Sequence, residues 1–267
     1  WTLILFPVWG SILIPYAVVY FILFFDVYWF YKSFSLAINA YLASKKIKNA
    51  ERINWLQKLK QLPAAKKIKH VVIIPSYKEN LNKLRQTLRS IASQTLPAKQ
   101  IFIVLKIEKR EEDGTRKANL LIKEFRNLFG GIFATYHPDR DGEVKGKSSN
   151  ESYASKKAYR KLIKTGVIDI NFTTVSSVDA DSIFDKQYFS YLSYKFLTDN
   201  NRYNKFWQAA NVDYNNFWTV PAPIRIIAFF GSLWRTALLV QKDRLISNST
   251  YSLSFSLLKR IDFWDTD

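Results

Sequence analysis

Val71-Val72-Ile73-Ile74-Pro75-Ser76-Tyr77-Lys78-Glu79 decides how this chain folds. Four β-branched residues in a row read as a buried strand, and Pro75 closes it. Working outward, the pattern repeats. Leu81 to Thr95 has the period of an amphipathic helix and ends at Leu96-Pro97. Ile101-Phe102-Ile103-Val104-Leu105 is a second buried strand. Thr115 to Leu128 is a second helix, stopped at Gly130-Gly131, and Gly131 to Tyr136 is a third strand. Ser149 to Lys164 is a helix ended by Gly166, and Phe172 to Val178 is the next strand. Strands alternating with helices predict an α/β domain with a mostly parallel sheet. Ligands of such sheets bind outside the carboxyl ends of the strands.

Four segments fall where that rule points. Pro75-Ser76-Tyr77-Lys78-Glu79 follows the first strand, and Glu108-Lys109-Arg110-Glu111 follows the second. Gly142 to Asn150, with Lys145 and Lys147, opens a helix, and helix N-termini and lysines favour phosphate. It is no P-loop, because Gly142 and Gly146 stand too close together. Asp179-Ala180-Asp181 ends the strand that runs from Asn171. Along a strand, side chains two apart face the same way, so two carboxylates just past its end suit one hard cation. Taken alone, each segment has a plainer reading. An Asp-x-Asp pair is commonly a turn or a helix cap, Tyr77 an exposed turn residue, Glu79 a cap, and Glu108 a solvated acid.

Composition narrows the chemistry. Across 267 residues, Lys and Arg number 40 against 22 Asp and Glu, a net charge of +18. Such a balance favours anionic partners. The chain holds 20 Phe, 15 Tyr and 8 Trp, and basic residues beside aromatics suit a membrane surface. Cys is absent, which excludes disulfides, thiolate zinc and a cysteine nucleophile. With only His70 and His137, a multi-histidine metal site is not expected. Met is also absent and the chain opens on Trp1, so it is expected to begin inside a longer protein.

No charged residue occurs from Trp1 to Phe25. About 20 apolar residues cross a bilayer as a helix, so one span is expected from Ile12 to Tyr31. Gly10-Ser11 and Pro15 are expected to break it from an earlier stretch, which allows a hairpin. Lys45, Lys46, Lys48, Arg52, Lys58, Lys60, Lys66, Lys67 and Lys69 follow, which puts this flank on the cytoplasmic side. Phe34 to Leu62 reads as helix, with Trp55, Leu59 and Leu62 on one stripe. It lies either along anionic headgroups or in solvent as a linker. The expected organisation is a membrane segment over 1–31, a basic amphipathic linker over 32–69, and an α/β domain over 70–267.

Together these pieces resemble the membrane-bound family-2 glycosyltransferases of GT-A fold. The shared pattern is Pro75-x-Tyr77-x-Glu79 after the first strand, an acid at Glu108, Gly146-Lys147-x-x-Asn150, and then Asp179-x-Asp181 in that order behind a span. His70 to Glu79, Thr135 to Asp139, Gly142 to Ser152, Tyr194 to Thr198, Asn215 to Trp218 and Asp262 to Trp264 look like a narrower bacterial subgroup. The resemblance implies a nucleotide-sugar site in which Pro75, Tyr77 and Glu79 line the nucleoside pocket and Glu108 accepts a hydrogen bond from a uracil imide or the ribose. Lys147 would sit by the diphosphate, Asp179 by ribose or metal, and Asp181 would ligate Mg2+ or Mn2+. The family's general base is an acidic pair expected past Asp267, with Asp265 or Asp267 as the alternative, so the domain is expected to be incomplete at its C-terminus. The region after Asp-x-Asp faces the acceptor in this family, which marks Gln208, Asn215, Asn216 and Trp218 as donor-sugar or acceptor contacts. Ile224 to Val240 is expected to be an interfacial helix.

The implied reaction is inverting, metal-dependent transfer of a sugar, UDP-linked, to a lipid-linked or polysaccharide acceptor, with anionic membrane lipid as a partner and no nucleic acid. Two other classes compete. A non-catalytic, membrane-tethered basic module would bind anionic lipid or polymer without nucleotide sugar, and salt would weaken it steeply. A nucleotidyltransferase usually carries a Gly-rich, Arg-containing loop after the first strand, where this chain has Ser76-Tyr77-Lys78-Glu79.

Overall fold

The structure, a computed structural model, describes residues 1–108, 111–138, 147–215, 217–241 and 250–264, with Lys147 described by its backbone alone. Two units separate by their internal packing: Trp1–Ala50 with Ala210–Ile246, and Glu51–Ala209 with Ser247–Asp267.

In the first unit, α1 (Phe6–Leu13) precedes α2 (Pro15–Glu51), a single helix of 37 residues. The break falls at Ile14, because a residue before proline is disfavoured in the helical region. Gly10-Ser11 does not break the chain as expected. Gly10 lies inside α1, where a Cβ would come within 2.8 Å of Val18 and 2.9 Å of Phe6. Phe6 also meets Phe21 edge-on with ring centroids 5.1 Å apart, so α1 folds back on the start of α2. The apolar window of α2 is long enough to cross a membrane and none of it is buried.

The second unit begins at α3 (Trp55–Lys60), with Asn54 capping its first turn. Trp55 and Leu59 are buried, and the Trp55 ring centroid lies 4.3 Å from that of Tyr191. This stripe faces the α/β domain, contrary to the expectation that it lies along lipid or in solvent. β1 (Lys69–Ser76), α4 (Leu81–Ala92), β2 (Ile101–Glu108), α5 (Gly114–Phe125) and β3 (Gly131–His137) follow the predicted alternation. α6 (Lys147–Ala158) passes into a π-helical turn over Tyr159–Ile163. Then come β4 (Thr173–Ser177), α7 (Tyr188–Thr198) and β5 (Phe206–Gln208). α8 (Ala222–Leu238) belongs to the first unit, and β6 (Tyr251–Ser254) and α9 (Phe255–Arg260) return to the second.

The sheet has the order β3-β2-β1-β4-β6-β5, with β1 to β4 parallel and β6 antiparallel to both neighbours. Its two faces follow the period of two. Val72, Ile74, Ile103 and Leu105 pack under α3, α4, α5 and α7, while Val71, Ile73, Phe102, Val104 and Val175 pack under α6 and α9. Each such side chain contributes about 1.5–3 kcal/mol by leaving water. β4 is different. It reads Thr-Thr-Val-Ser-Ser, and every residue is buried. A buried hydroxyl is costly unless it is bonded, and these are: Thr173 to the Asp169 carbonyl at 2.6 Å, Thr174 to His70 at 2.6 Å, Ser176 to Ser252 at 2.7 Å and Ser177 to Glu151 at 2.7 Å.

Candidate functional site

From β1 the chain steps one way to β2 and β3, then crosses to the other side of β1 for β4. The strand order therefore reverses between β1 and β4, which is where sheets of this kind have their ligand crevice, at the carboxyl edge. Across that edge the register places His137 beside Glu108, Ile107 beside Ser76, Ile73 beside Ser177, and Ser177 beside Tyr251, which neighbours Gln208. Two buried polar atoms on this edge, Ser76 Oγ and Gln208 Oε1, have no hydrogen-bond partner among the described residues. Such orphaned groups are few in native proteins and call for a reason.

On the β1 side, Pro75 is the next-to-last residue of the strand and Tyr77 leaves it 37% exposed. Lys78 takes a φ of +58°, a left-handed conformation uncommon without glycine, which turns the loop sharply. Its ammonium lies 5.4 Å from the Tyr77 ring centroid. The loop is pinned from α5. Lys117 Nζ donates to the Glu79 carbonyl at 3.1 Å and to the buried Glu111 carboxylate at 2.7 Å. Glu108 is the last residue of β2 rather than a loop residue, and Asn150 Nδ2 donates to its Oε1 at 3.2 Å.

On the β4 side, the strand ends at Ser177, and Asp179 and Asp181 lie in a turn. Ser182 N–H donates to the Asp179 carbonyl at 3.2 Å to close it. The parity argument for an extended strand therefore does not apply to this pair; a turn holds both carboxylates. Asp181 is exposed and Asp179 half-buried. Between them Ala180 is buried, and its carbonyl accepts from Thr87 Oγ1 of α4 at 2.8 Å. The helix that follows the β1 loop thus also fixes the Asp-x-Asp turn.

Two carboxylates in one turn fit a hard divalent ion that takes one or two protein carboxylates and fills its shell with phosphate oxygens and water, as Mg2+ does. They do not fit a dedicated protein cage: no cluster of three or more His, Asp or Glu forms among the described residues.

Of the other predicted residues, Gln208 reaches this edge and donates to the Thr250 carbonyl at 2.8 Å. Asn215 and Trp218 belong to the first unit, where Trp218 is 79% exposed. Asn216, the Gly142–Gly146 loop, Asp265 and Asp267 lie outside the described residues, as does the side chain of Lys147. Sequence reasoning missed Thr87, Lys117, Glu151 and Tyr251. Only Glu151 left a trace, as a lone acid among small polar residues directly after Asn150. Burial pushes the Tyr251 hydroxyl up to about 12; the nearby Glu151 charge adds to this, and hydrogen bonds with Trp264 and Ser177 oppose it.

No protein-family model matches the chain, and no curated protein matches it in sequence. Solved structures do match it. The mannosyltransferase PcManGT from Pyrobaculum calidifontis, in complex with GDP-Man and Mn2+, aligns with a TM-score of 0.52 at 13% identity, over 87% of this chain and 60% of that one. S. aureus TarS 1-349 in complex with UDP-GlcNAc aligns with a TM-score of 0.42 at 15% identity, over 74% of this chain and 48% of that one. The chain spans less than two thirds of the length of either. The first alignment shows the fold: a GT-A-like α/β domain of six mostly parallel strands flanked by helices, with a long apolar helix near the N-terminus.

Proposed function

We propose that this chain is a membrane-anchored family-2 glycosyltransferase of a bacterial type, transferring sugar from a nucleoside-diphosphate sugar, UDP-linked, to a lipid-linked or polysaccharide acceptor. The observation that supports this reading is the switch in strand order between β1 and β4. Tyr77 and Glu79 follow β1, Glu108 ends β2, and Asp179 and Asp181 follow β4, in a fold similar to that of an enzyme crystallised with a nucleotide sugar and Mn2+.

The residues divide the work by chemistry. Tyr77 offers a ring face to the base, and Glu108, held by Asn150, accepts an N–H of uracil or a ribose hydroxyl. Asp179 and Asp181 would hold Mg2+ or Mn2+. A bound ion supplies positive charge against the diphosphate, and Lys147 at the start of α6 adds to it. The oxygen of the acceptor hydroxyl bonds to the anomeric carbon as the bond from that carbon to the diphosphate breaks, which inverts the centre, and the hydroxyl proton passes to the acidic general base that the resemblance implies. In the membrane unit, α2 spans the bilayer with Lys45, Lys46 and Lys48 on the cytoplasmic side. α8 exposes Ile224, Ile226, Ile227, Phe229, Phe230 and Trp234, which suits the interface.

The test is a thermal-shift screen of the detergent-solubilised chain against UDP-, GDP- and CDP-sugars, each with Mn2+ and with chelator. The UDP-sugars are expected to raise the melting temperature only with the metal. Stabilisation by GDP-sugars alone would overturn the base assignment. No stabilisation by any of them, with binding to anionic polymer instead, would favour the non-catalytic module.

A further inference from the structure

Asn150 and Glu151 are neighbours on the first turns of α6, and both side chains are buried. They reach different strands. Asn150 donates to Glu108 at the end of β2, while the Glu151 carboxylate accepts from Ser177 at the end of β4 at 2.7 Å. β1, with the Tyr77 loop, runs between those two strands. One turn of one helix is therefore fastened to both banks of the crevice. Ser177 stands two residues before Asp179, so the β4 contact is made at the root of the Asp-x-Asp turn.

Two further residues stand behind this contact. Trp264 Nε1 donates to the Tyr251 hydroxyl, and Tyr251 stands beside Ser177 in the register of β4 and β6. Ser177 Oγ donates to the Glu151 carboxylate. Ser177 and Glu151 are buried and Tyr251 is half-buried, where a hydrogen bond to a charged acceptor is strongest.

We propose that Glu151 is a positioning residue for the nucleotide-sugar site: by accepting from Ser177 at the end of β4, it fixes the root of the Asp179–Asp181 turn against the first turns of α6. The proposal rests on the reading of the crevice as a nucleotide-diphosphate site. It adds a carboxylate that touches no ligand and acts through Ser177. It also separates the two neighbours: Asn150 serves the base-side acid, and Glu151 serves the diphosphate side.

The test measures UDP affinity by calorimetry with Mn2+, on the full chain in detergent, beside the melting temperature of each variant. Glu151→Ala is expected to weaken UDP at least about tenfold, the factor attached to one charged hydrogen bond. Glu151→Gln, which keeps an acceptor oxygen in place, is expected to stay within a few-fold of wild type. Ser177→Ala should match Glu151→Ala, and the double variant should be no weaker than either, because the two act as one unit. If Glu151→Ala does not fold, Ser177→Ala carries the same test. Unchanged UDP affinity in Ser177→Ala, or equal losses in the Gln and Ala variants at 151, would overturn the positioning role while leaving the site reading intact. A wild-type chain that binds neither UDP nor GDP would overturn the site reading, and this proposal with it.

Discussion

Acid should unfold this protein from the end of the sheet opposite its crevice, through one histidine. His70 is fully buried near the start of β1. Its Nδ1 lies 2.6 Å from Thr174 Oγ1 on β4, and its Nε2 lies 2.7 Å from Ser193 Oγ on α7. Six residues separate it from Ser76, roughly 20 Å along the strand. Burial first, and the Lys69 charge second, push the ring down to about 3 from its usual 6.5. The folded value lies below the unfolded one. The neutral ring therefore contributes its full stability above about pH 6.5, and this is lost as pH falls from there toward 3. Each pH unit in that window removes about 1.4 kcal/mol. By pH 5 the loss reaches about 2 kcal/mol, roughly 4–8 °C of melting temperature for a domain of this size. The assay is thermal unfolding in detergent from pH 8 to pH 4, for wild type and His70→Phe. The variant should melt lower near pH 8, because the Thr174 hydroxyl loses its partner, but its pH slope below 6.5 should be shallower by the amount above, so the two curves converge toward pH 4. His137 is present in both proteins, so the difference in slopes isolates His70. With two histidines in the chain, ring-labelled NMR offers a direct check: one of the two ring resonances should not move between pH 8 and pH 5. Equal slopes in the two proteins, or two rings titrating near 6.5, would refute the argument.

Three further outcomes follow from the site. Asp181→Asn should abolish the Mn2+-dependent part of UDP binding while leaving the melting temperature of the free protein unchanged, since Asp181 is exposed; calorimetry with and without chelator reads both. Thr87→Val keeps the volume but strands the buried Ala180 carbonyl, which should cost about 1–3 kcal/mol in urea unfolding and weaken UDP–Mn2+ binding through the freed turn. Lys117→Met leaves the buried Glu111 carboxylate without its cation and should destabilise the fold by about 3 kcal/mol or more. Adding Glu111→Gln should recover most of that loss, because the uncompensated charge is gone.

The parallel half of the sheet was legible because Val71 to Ile74 and Ile101 to Leu105 are continuous β-branched or apolar runs, which helices do not need. The antiparallel half was not. β6 reads Tyr-Ser-Leu-Ser and β5 has three residues, too short and too polar to stand out from loop. Their burial depends on partners that arrive from elsewhere: Ser252 meets Ser176, and Tyr251 meets Ser177. Hydropathy marked a span ending near Tyr31, but α2 runs on to Glu51. The change at Tyr31 is in the solvent a side chain prefers, and the backbone hydrogen bonds continue through it. Proline and glycine also parted ways. Pro15 broke the helix because it bars the residue before it from helical geometry, whereas Gly10 served close packing against Val18.

Asp179 and Asp181 show what residue spacing says about a candidate site and what it leaves out. The sequence puts a strand over Asn171 to Val178 with both acids just past its end; the strand is Thr173–Ser177, and both acids lie in the turn beyond it. Two carboxylates in a turn at a strand end suit a hard ion, whichever backbone presents them. What spacing could not supply is the support. Thr87 lies 93 positions from Ala180 in sequence, and Glu151 lies 26 from Ser177. Neither contact leaves a periodic mark, because each is made by one side chain after the helices have docked. A binding residue must match its ligand and is confined to a few chemical types. A supporting residue must only match its neighbour, and its identity becomes readable once that neighbour is known.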